Sequence, residues 1–507
     1  MTIDSPASPL EQLQLERANT LLSVGQSDAA VRLLAPLVST AGATSGLLKA
    51  FARGLRDLGR NDDCREAWKR VIALEPTNSV AEHNLAALLG DMGLATESEA
   101  ASKRALAKGG QAPETWLVLG RALQAQLRGA EAEAAFRAAI LRRPTYLDAH
   151  RDLAQLIWMQ TESVDAALTT LNEVVAGSAT PPGLVAMRAG ILNDIASAEA
   201  AYASLKNGLN QGIIEVELVA AQSAVRFDPA LALKHADAAC ALAPSELSAM
   251  LTRAVSLLAC DQAPAALVQL SSVLEIKPEN QHALALQRTA WRIVGDDRAL
   301  SANDYVRLVR SYEINCPLGW ASLPDFLADL RKSLLRLHGF SGAPLGQSIR
   351  SGVQAASDPR RAGDPVIDAA FAAFASPIND YLASTAEAAS LTDLRRSSSW
   401  DMAGAWSVRL RAGGRHIDHV HPQGWISSAF YVDLPEASES DERAGWLRFG
   451  VPGIGDDHAL GPEYWVKPEP GHLVLFPSYF WHGTQPFEAS GDRLTIAFDL
   501  RVVSGRR

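Results

Sequence analysis

Four prolines set the frame for the first three hundred residues. Pro76 and Pro144 lie 68 residues apart, twice 34, and Pro244 and Pro278 lie 34 apart. Pro144 and Pro278 are separated by 134, close to four such steps, while Pro113 and Pro181 fall between them less regularly. Each proline closes a stretch in which small and apolar residues recur at three- and four-residue spacing, the period of an amphipathic helix. In residues 114–144, Trp116, Leu119 and Leu123 mark one apolar face, and Ala134, Phe136 and Ile140 mark a second. The unit is helix, short polar turn, helix, proline. One such unit cannot bury its apolar face alone, so neighbours must stack to make a core.

This pattern resembles the tetratricopeptide repeat, whose period is 34 residues. It covers about residues 9–300 as seven to nine units, with residues 182–246 departing most around the turn NGLNQG. The resemblance implies an α-solenoid whose groove holds a peptide or protein segment. A solenoid that only builds a homodimer, or braces the rest of the chain, is the alternative.

The totals narrow the class. A chain of 507 residues is too long for one core. Its 48 % hydrophobic and 21 % charged residues make an ordinary globular balance. A formal charge of −10 argues against a nucleic-acid partner, because phosphate binding wants a basic surface. No run of 18 apolar residues is present, so no membrane span is expected, and the polar start MTIDSPASPLEQLQLER lacks a signal-peptide core. Cys64, Cys240, Cys260 and Cys316 have neither disulfide nor metal spacing, which fits a cytoplasmic location.

Beyond residue 300 the composition changes. Six of eleven histidines fall between His416 and His482, and six of eleven tryptophans between Trp400 and Trp481. Residues 301–400 are expected to be linker and bracing helices of the second domain. One helix starts at Ser322-Leu323-Pro324 with the stripe Phe326, Leu327, Leu330, Leu334 and Leu337. Another starts at Asp364-Pro365 with Val366, Ala370, Phe374 and Ile378 inward, and Pro377 is expected to kink or end it. QSIRSGVQA, residues 347–355, reads as a polar loop.

Residues 400–507 read as short strands: AWSVRL, WISSAFYVDL, GWLRFGV, GHLVLFP and RLTIAFDLRV. Strands without long helices between them suggest a barrel or two-sheet β-fold. His419 and His421 are two apart, so in a strand both would face one way, and His482 would end a distant strand. Two ligands from one strand and a third from another make a facial metal site, although imidazole alone does not choose between Fe, Cu, Ni and Zn. In RLTIAFDL, Arg493 and Thr495 share one face, and Leu494, Ile496 and Phe498 the other. If the apolar set packs on the helices, Arg493 points inward and needs an anion, which a 2-oxoacid carboxylate would supply.

The segments HVHPQGW (419–425), SSAFYV (427–432), PGHLVLFPSYFWH (470–482) and QSIRSGVQ (347–354), together with Arg493 and Thr495, resemble a bacterial and phage group of 2-oxoglutarate/Fe(II) oxygenases often fused to tetratricopeptide repeats. The match runs over about residues 303–502 and implies a double-stranded β-helix (jelly-roll) domain. By resemblance His419, His421 and His482 hold Fe(II). Arg493 clamps the distal carboxylate of the cosubstrate 2-oxoglutarate, with Thr495 and Tyr431 assisting. Arg350, Gln354 and Trp425 are candidates for substrate contact. Two departures stand out. The wider superfamily usually has Asp where His421 stands, and Phe430 lacks the hydroxyl of the tyrosine usual at its position. A competing pair, His416 and Asp418, spells the commoner H-x-D, but by strand parity it would face away from His419 and His421.

The resemblance thus implies a 2-oxoglutarate-dependent dioxygenase whose substrate is a peptide or protein segment held by the solenoid. The alternatives are a small-molecule oxygenase with a dimerising solenoid, a non-catalytic scaffold with a vestigial cupin-like domain, and a zinc hydrolase on the same histidines. The last would need a general base beside the metal.

Overall fold

A computed structural model describes residues 8–40, 42–177, 180–206, 208–209, 211–385, 399–435, 442–454, 460–488 and 490–502. The chain divides into two compact units, Met1–Leu153 and Ala154–Arg507. Among the described residues no helix is long and apolar enough to cross a membrane.

The first unit is built of helix hairpins. Pro9–Ser23 pairs with Ser27–Val38, Ser45–Asp57 with Asn61–Leu74, Ser79–Asp91 with Ala95–Ala107, and Pro113–Ala125 with Gly129–Arg142. Leu34, Leu47, Leu55 and Val71 are fully buried between them. Gly120 explains how close two helices of a pair can come: a Cβ there would lie 2.4 Å from the ring of Phe136. Pro76 sits in the turn between hairpins, and two residues on Asn78 caps the next helix by accepting from the Ala81 amide.

The same pairing continues in the second unit. Pro182–Ile195 pairs with Ala198–Ser204, Ile214–Ala224 with Pro229–Leu242, and Leu247–Ala259 with Ala263–Ile276 before the helix Gln281–Val294. Pro244 and Pro278 again occupy the turns between pairs, and Asn280 repeats the cap on the Ala283 amide. The irregular sequence around residue 200 yields a helix of only seven residues, Ala198–Ser204.

The C-terminal part of this unit is a double-stranded β-helix. Its strands are β1 (Arg310–Glu313), β2 (Ile349–Gln354), β3 (Trp400–His416), β4 (Ile426–Asp433), β5 (Leu447–Phe449), β6 (Tyr464–Val466), β7 (His472–Pro477), β8 (His482–Thr484) and β9 (Arg493–Val502). They form a six-stranded sheet, ordered β1-β7-β4-β9-β3-β2, and a three-stranded sheet, ordered β6-β5-β8. The pairings within both are antiparallel.

One face of the large sheet is covered by helices. Phe430, Leu494, Ile496 and Phe498 pack against Phe326, Leu330 and Leu334 of the helix Leu323–Leu335 and against Ile367, Phe374 and Ile378. Phe374 is the centre of this contact, with ring centroids 4.9 Å from Phe430 and 5.4 Å from Phe498. Each buried phenylalanine contributes about 1.5–3 kcal/mol. Ser322 caps the first bracing helix through the Asp325 amide.

Two expectations are corrected. The segment beginning at Pro365 is two helices, Pro365–Ala373 and Ala375–Thr385, broken at Phe374 and not at Pro377. Pro377 lies in the first turn of the second helix, where its missing amide hydrogen costs nothing. QSIRSGVQA is also not a loop, because Ile349–Gln354 is an edge strand paired with β3 through a register shift at Arg350/Gly352. Ladder hydrogen bonds use the backbone, so a polar segment serves as an edge while its side chains face a cavity.

The last repeat helix is joined to the β-domain within the second unit. Trp481 and Ile454 share a core cluster with Leu286 and Ala290 of Gln281–Val294. Arg292 pairs with Glu463 at 3.0 Å and donates to the carbonyl of Gly450.

Candidate functional site

The face of the large sheet opposite the helices borders a cavity of about 690 Å³ that reaches the small sheet. Arg493, Thr495, Ala497 and Asp499 line it from alternate positions of β9, Ser428 from β4, and Leu447, Gly483 and Thr484 from the small sheet. His419, His421 and His482 meet on its wall, their ligand nitrogens all within 4.8 Å of one another.

The local route to this cluster differs from the strand reading. β3 stops at His416, and His419 and His421 lie in the connection to β4. His419 forms an isolated antiparallel bridge with His482, with both amide-to-carbonyl bonds at 3.0 Å. The His421 amide donates to the Ser478 carbonyl, also at 3.0 Å. His482 opens β8 instead of ending a strand. The convergence of His419 and His421 therefore comes from backbone bonds to the segment 478–482, and not from side-chain alternation along one strand.

Each imidazole is held by its far nitrogen. His419 Nδ1 lies 2.8 Å from the Ile417 carbonyl, His482 Nδ1 lies 2.9 Å from the Phe480 carbonyl, and His421 Nδ1 lies 2.7 Å from the Asp499 carboxylate. These partners accept only, so Nδ1 carries the hydrogen in all three rings and Nε2 is the atom turned to the cluster. Two of the Nε2 atoms, those of His419 and His421, are 3.1 Å apart. Ring nitrogens that close need a shared cation between them, either a proton or a metal ion. Burial pushes the His419 imidazole down to about 3, aided by the nearby His421. It also holds His482 well below its usual range, with His419 and His421 adding to the effect. Both are thus neutral at physiological pH, the state a metal ligand requires.

Arg493 is 2 % exposed, and its guanidinium lies 5.1 Å from the centre of the Tyr431 ring. Arg493 Nε and the Tyr431 hydroxyl are both buried with no close hydrogen-bond acceptor, and the guanidinium and that hydroxyl interact with each other. Arg493 lines the cavity and Tyr431 packs behind it, so a buried guanidinium with no carboxylate beside it is open to one from the cavity side. The Thr495 hydroxyl makes only a long contact, 3.4 Å, to the Val408 carbonyl. The donor set therefore fits a divalent metal and a dicarboxylate together.

The competing residue Asp418 is half-buried and is bound by Arg448 through Nε at 3.1 Å and Nη2 at 2.5 Å. It packs so tightly on β8 that a Cβ on Gly483 would sit 2.6 Å from its Oδ1. His416 Nδ1 lies 2.8 Å from the Ser348 hydroxyl. Neither belongs to the metal-competent group found among the described residues.

Of the remaining candidates, Arg350 and Gln354 line the cavity from β2. Arg350 also donates to the carbonyls of Gln347 and Ile349. Trp425 does not line the cavity but packs in the core on the helix side of the sheet, which corrects its expected substrate contact. Phe430 faces Phe374, so the hydroxyl it lacks would not have reached the cavity. His472 is bonded near Ser311 and Glu469, away from the cluster, and His458 lies outside the described residues.

Sequence reasoning missed four residues here. Asp499 accepts from His421 and, at 2.7 Å, from Ser427, and Ser348 contacts both His416 and His419. Asp194, near the end of the helix Pro182–Ile195, and Arg226, in the turn before Pro229–Leu242, are exposed and line the outer part of the cavity near Arg350. The alternation Arg493, Thr495, Ala497, Asp499 was a signal for Asp499. No sequence signal pointed to Asp194 or Arg226.

Residues 404–499 match the family described as "Putative 2OG-Fe(II) oxygenase". No curated protein matches the chain. A solved structure described as "Crystal structure of MamA" is 17 % identical, with 31 % of this chain and 92 % of that one covered and a TM-score of 0.29. Another, "MamA RS-1 ArsTM double mutant", is 16 % identical over 32 % of this chain and 92 % of its own, with a TM-score of 0.30.

Proposed function

We propose that the C-terminal domain, from about residue 301, is an Fe(II)- and 2-oxoglutarate-dependent oxygenase and that its substrate is a peptide or protein segment presented with help from the repeat helices. The observation that carries this reading is the pairing, in one cavity, of three converging imidazoles with a buried arginine that forms no ion pair among the described residues. The match of residues 404–499 to an oxygenase family supports the same reading.

In this reading His419, His421 and His482 hold the iron through Nε2. Arg493 takes the distal carboxylate of 2-oxoglutarate, with the Tyr431 and Thr495 hydroxyls completing its contacts. Bound iron and 2-oxoglutarate supply the oxidising chemistry. The chain fixes the ligand rings through their Nδ1 bonds, neutralises the cosubstrate, and limits water with the apolar walls Val408, Leu447 and Phe476. Both carboxylates near the cluster are engaged, Asp418 by Arg448 and Asp499 by His421, which weighs against a metal hydrolase needing a free general base.

The substrate reading rests on the mouth of the cavity. Asp194 and Arg226 belong to the repeat region, so residues of the helical pairs stand at the entrance to the chemistry. Space remains beyond a small dicarboxylate for a substrate side chain. Anaerobic titration of the full chain with Fe(II) and 2-oxoglutarate tests the central claim. A visible charge-transfer band that requires both is expected, and a titration with no band would sink the reading.

A further inference from the structure

Three imidazole ligands give a metal no negative charge, and the residue that could supply it is one hydrogen bond further out. Asp499 is 6 % exposed, and both of its carboxylate oxygens lie 2.7 Å from His421 Nδ1. Its setting is built. Ser427 donates to Oδ1 at 2.7 Å, the Ser427 and Ser478 hydroxyls are 2.9 Å apart, and β4 pairs with β9 so that Ser427 stands opposite Asp499. Gly424 leaves the room: a Cβ there would come within 2.5 Å of Ser478 Oγ and 3.0 Å of Asp499 Cγ.

This carboxylate is out of place unless a cation is near. Among the described residues no lysine or arginine forms an ion pair with it, and its one ion-pair partner is His421. A buried carboxylate without a compensating positive charge is strongly disfavoured. His419 and His482 differ, since their Nδ1 atoms meet neutral backbone carbonyls. Of the three rings, only His421 is backed by an anion.

We propose that Asp499 is a positioning residue that delivers negative charge to the metal through His421, standing in for the carboxylate ligand absent from the donor set. The inference rests on the metal reading above. A carboxylate accepting from Nδ1–H makes the opposite nitrogen more basic and fixes its tautomer. Removing the charge should therefore weaken the metal's hold and leave the metal more electron-poor. An electron-poor metal attracts the dianionic cosubstrate more strongly.

The test compares the full native chain with Asp499→Asn, which keeps an acceptor of the same shape but loses the charge. Co(II) is titrated first; then Fe(II) and 2-oxoglutarate are added anaerobically, and the charge-transfer band is recorded. The Asn variant is expected to bind Co(II) about 10–100-fold more weakly. Once loaded, it should bind 2-oxoglutarate more tightly and show its band at higher energy. A purely structural role would not weaken one ligand while strengthening the other. Ser427→Ala is the second variant, and it holds if Asp499→Asn fails to fold. It keeps the charge and removes a competing donor, so its band should move to lower energy. Native metal affinity and band position in the Asn variant, or an unmoved band in Ser427→Ala where only that variant folds, would overturn the assignment of Asp499 alone. A native chain that binds no Co(II) would overturn the metal reading and this inference with it.

Discussion

Trp481 Nε1 donates to Thr289 Oγ1 at 3.0 Å, tying the residue next to His482 to the last repeat helix. The repeat region and the β-domain therefore share a core beside the histidine cluster. A fragment starting at residue 303 would strip Trp481 and Ile454 of Leu286 and Ala290. Thr289→Val leaves a buried indole donor unpaired, at a cost of about 1–3 kcal/mol. Thermal unfolding of the full chain should register this loss. An unchanged midpoint would mean that the contact does not contribute to stability.

Alanine at His419, His421 or His482 is expected to lower Fe(II) affinity sharply, with little change in far-UV circular dichroism. Asp418→Ala should leave the iron in place, because that carboxylate is spent on Arg448. Calorimetric titration of the four variants checks this. Iron lost from the Asp418 variant and kept by the His421 variant would reverse the ligand assignment.

Arg493→Ala should weaken 2-oxoglutarate binding by well over tenfold while the metal stays bound, since one side of a desolvated charge pair is worth about 2–5 kcal/mol. Arg493→Lys should recover only part of it, because an ammonium cannot reproduce the two-pronged contact. Equal cosubstrate affinity in the Ala variant would remove Arg493 from the site.

The candidate cluster was legible because its residue types are unusual: three histidines and an arginine, spaced around strand-like segments. The reason they converge was not. Strand parity placed His419 and His421 together, whereas the chain achieves it through the His419–His482 bridge and the His421–Ser478 bond. Asp499 escaped notice because its role depends on a pairing register with Ser427, 72 residues away. β2 was hidden by its polar side chains, since hydropathy does not record backbone pairing.

Acid should destabilise the metal-free protein before its carboxylates titrate. Burial holds His419 near 3, His282 near 4 and His338 near 4, against an ordinary histidine value of about 6.5. These folded-state values are depressed, so the unfolded chain takes up more protons below 6.5. The stability is fully present above that pH and is lost progressively as pH falls toward 4 and then 3. The slope is on the order of 1 kcal/mol per histidine per pH unit. Unfolding midpoints of the metal-free chain between pH 7.5 and 5 should fall by several degrees. A flat profile would contradict the neutral, buried state of these rings.

Charge reversal at the cavity mouth tests the substrate reading. Arg226→Glu and Asp194→Lys should leave substrate-free 2-oxoglutarate turnover near the native level. They should reduce the extra turnover elicited by a mixed peptide digest, chiefly through KM. If no peptide mixture stimulates the native chain, the peptide reading falls. If both variants respond as the native chain does, the repeat helices take no part in recognition.

The position of Asp194 and Arg226 separates two kinds of inheritance within one polypeptide. The three histidines and Arg493 belong to the β-domain and the connection that leads into it, whereas Asp194 and Arg226 on the same cavity belong to the repeat region, whose helical pairs can be exchanged, shortened or duplicated one unit at a time. Drift in those pairs would retune which molecules enter without disturbing the chemistry behind them. Shuffling such repeats is a route by which a lineage varies what reaches the cavity while the histidine cluster stays the same.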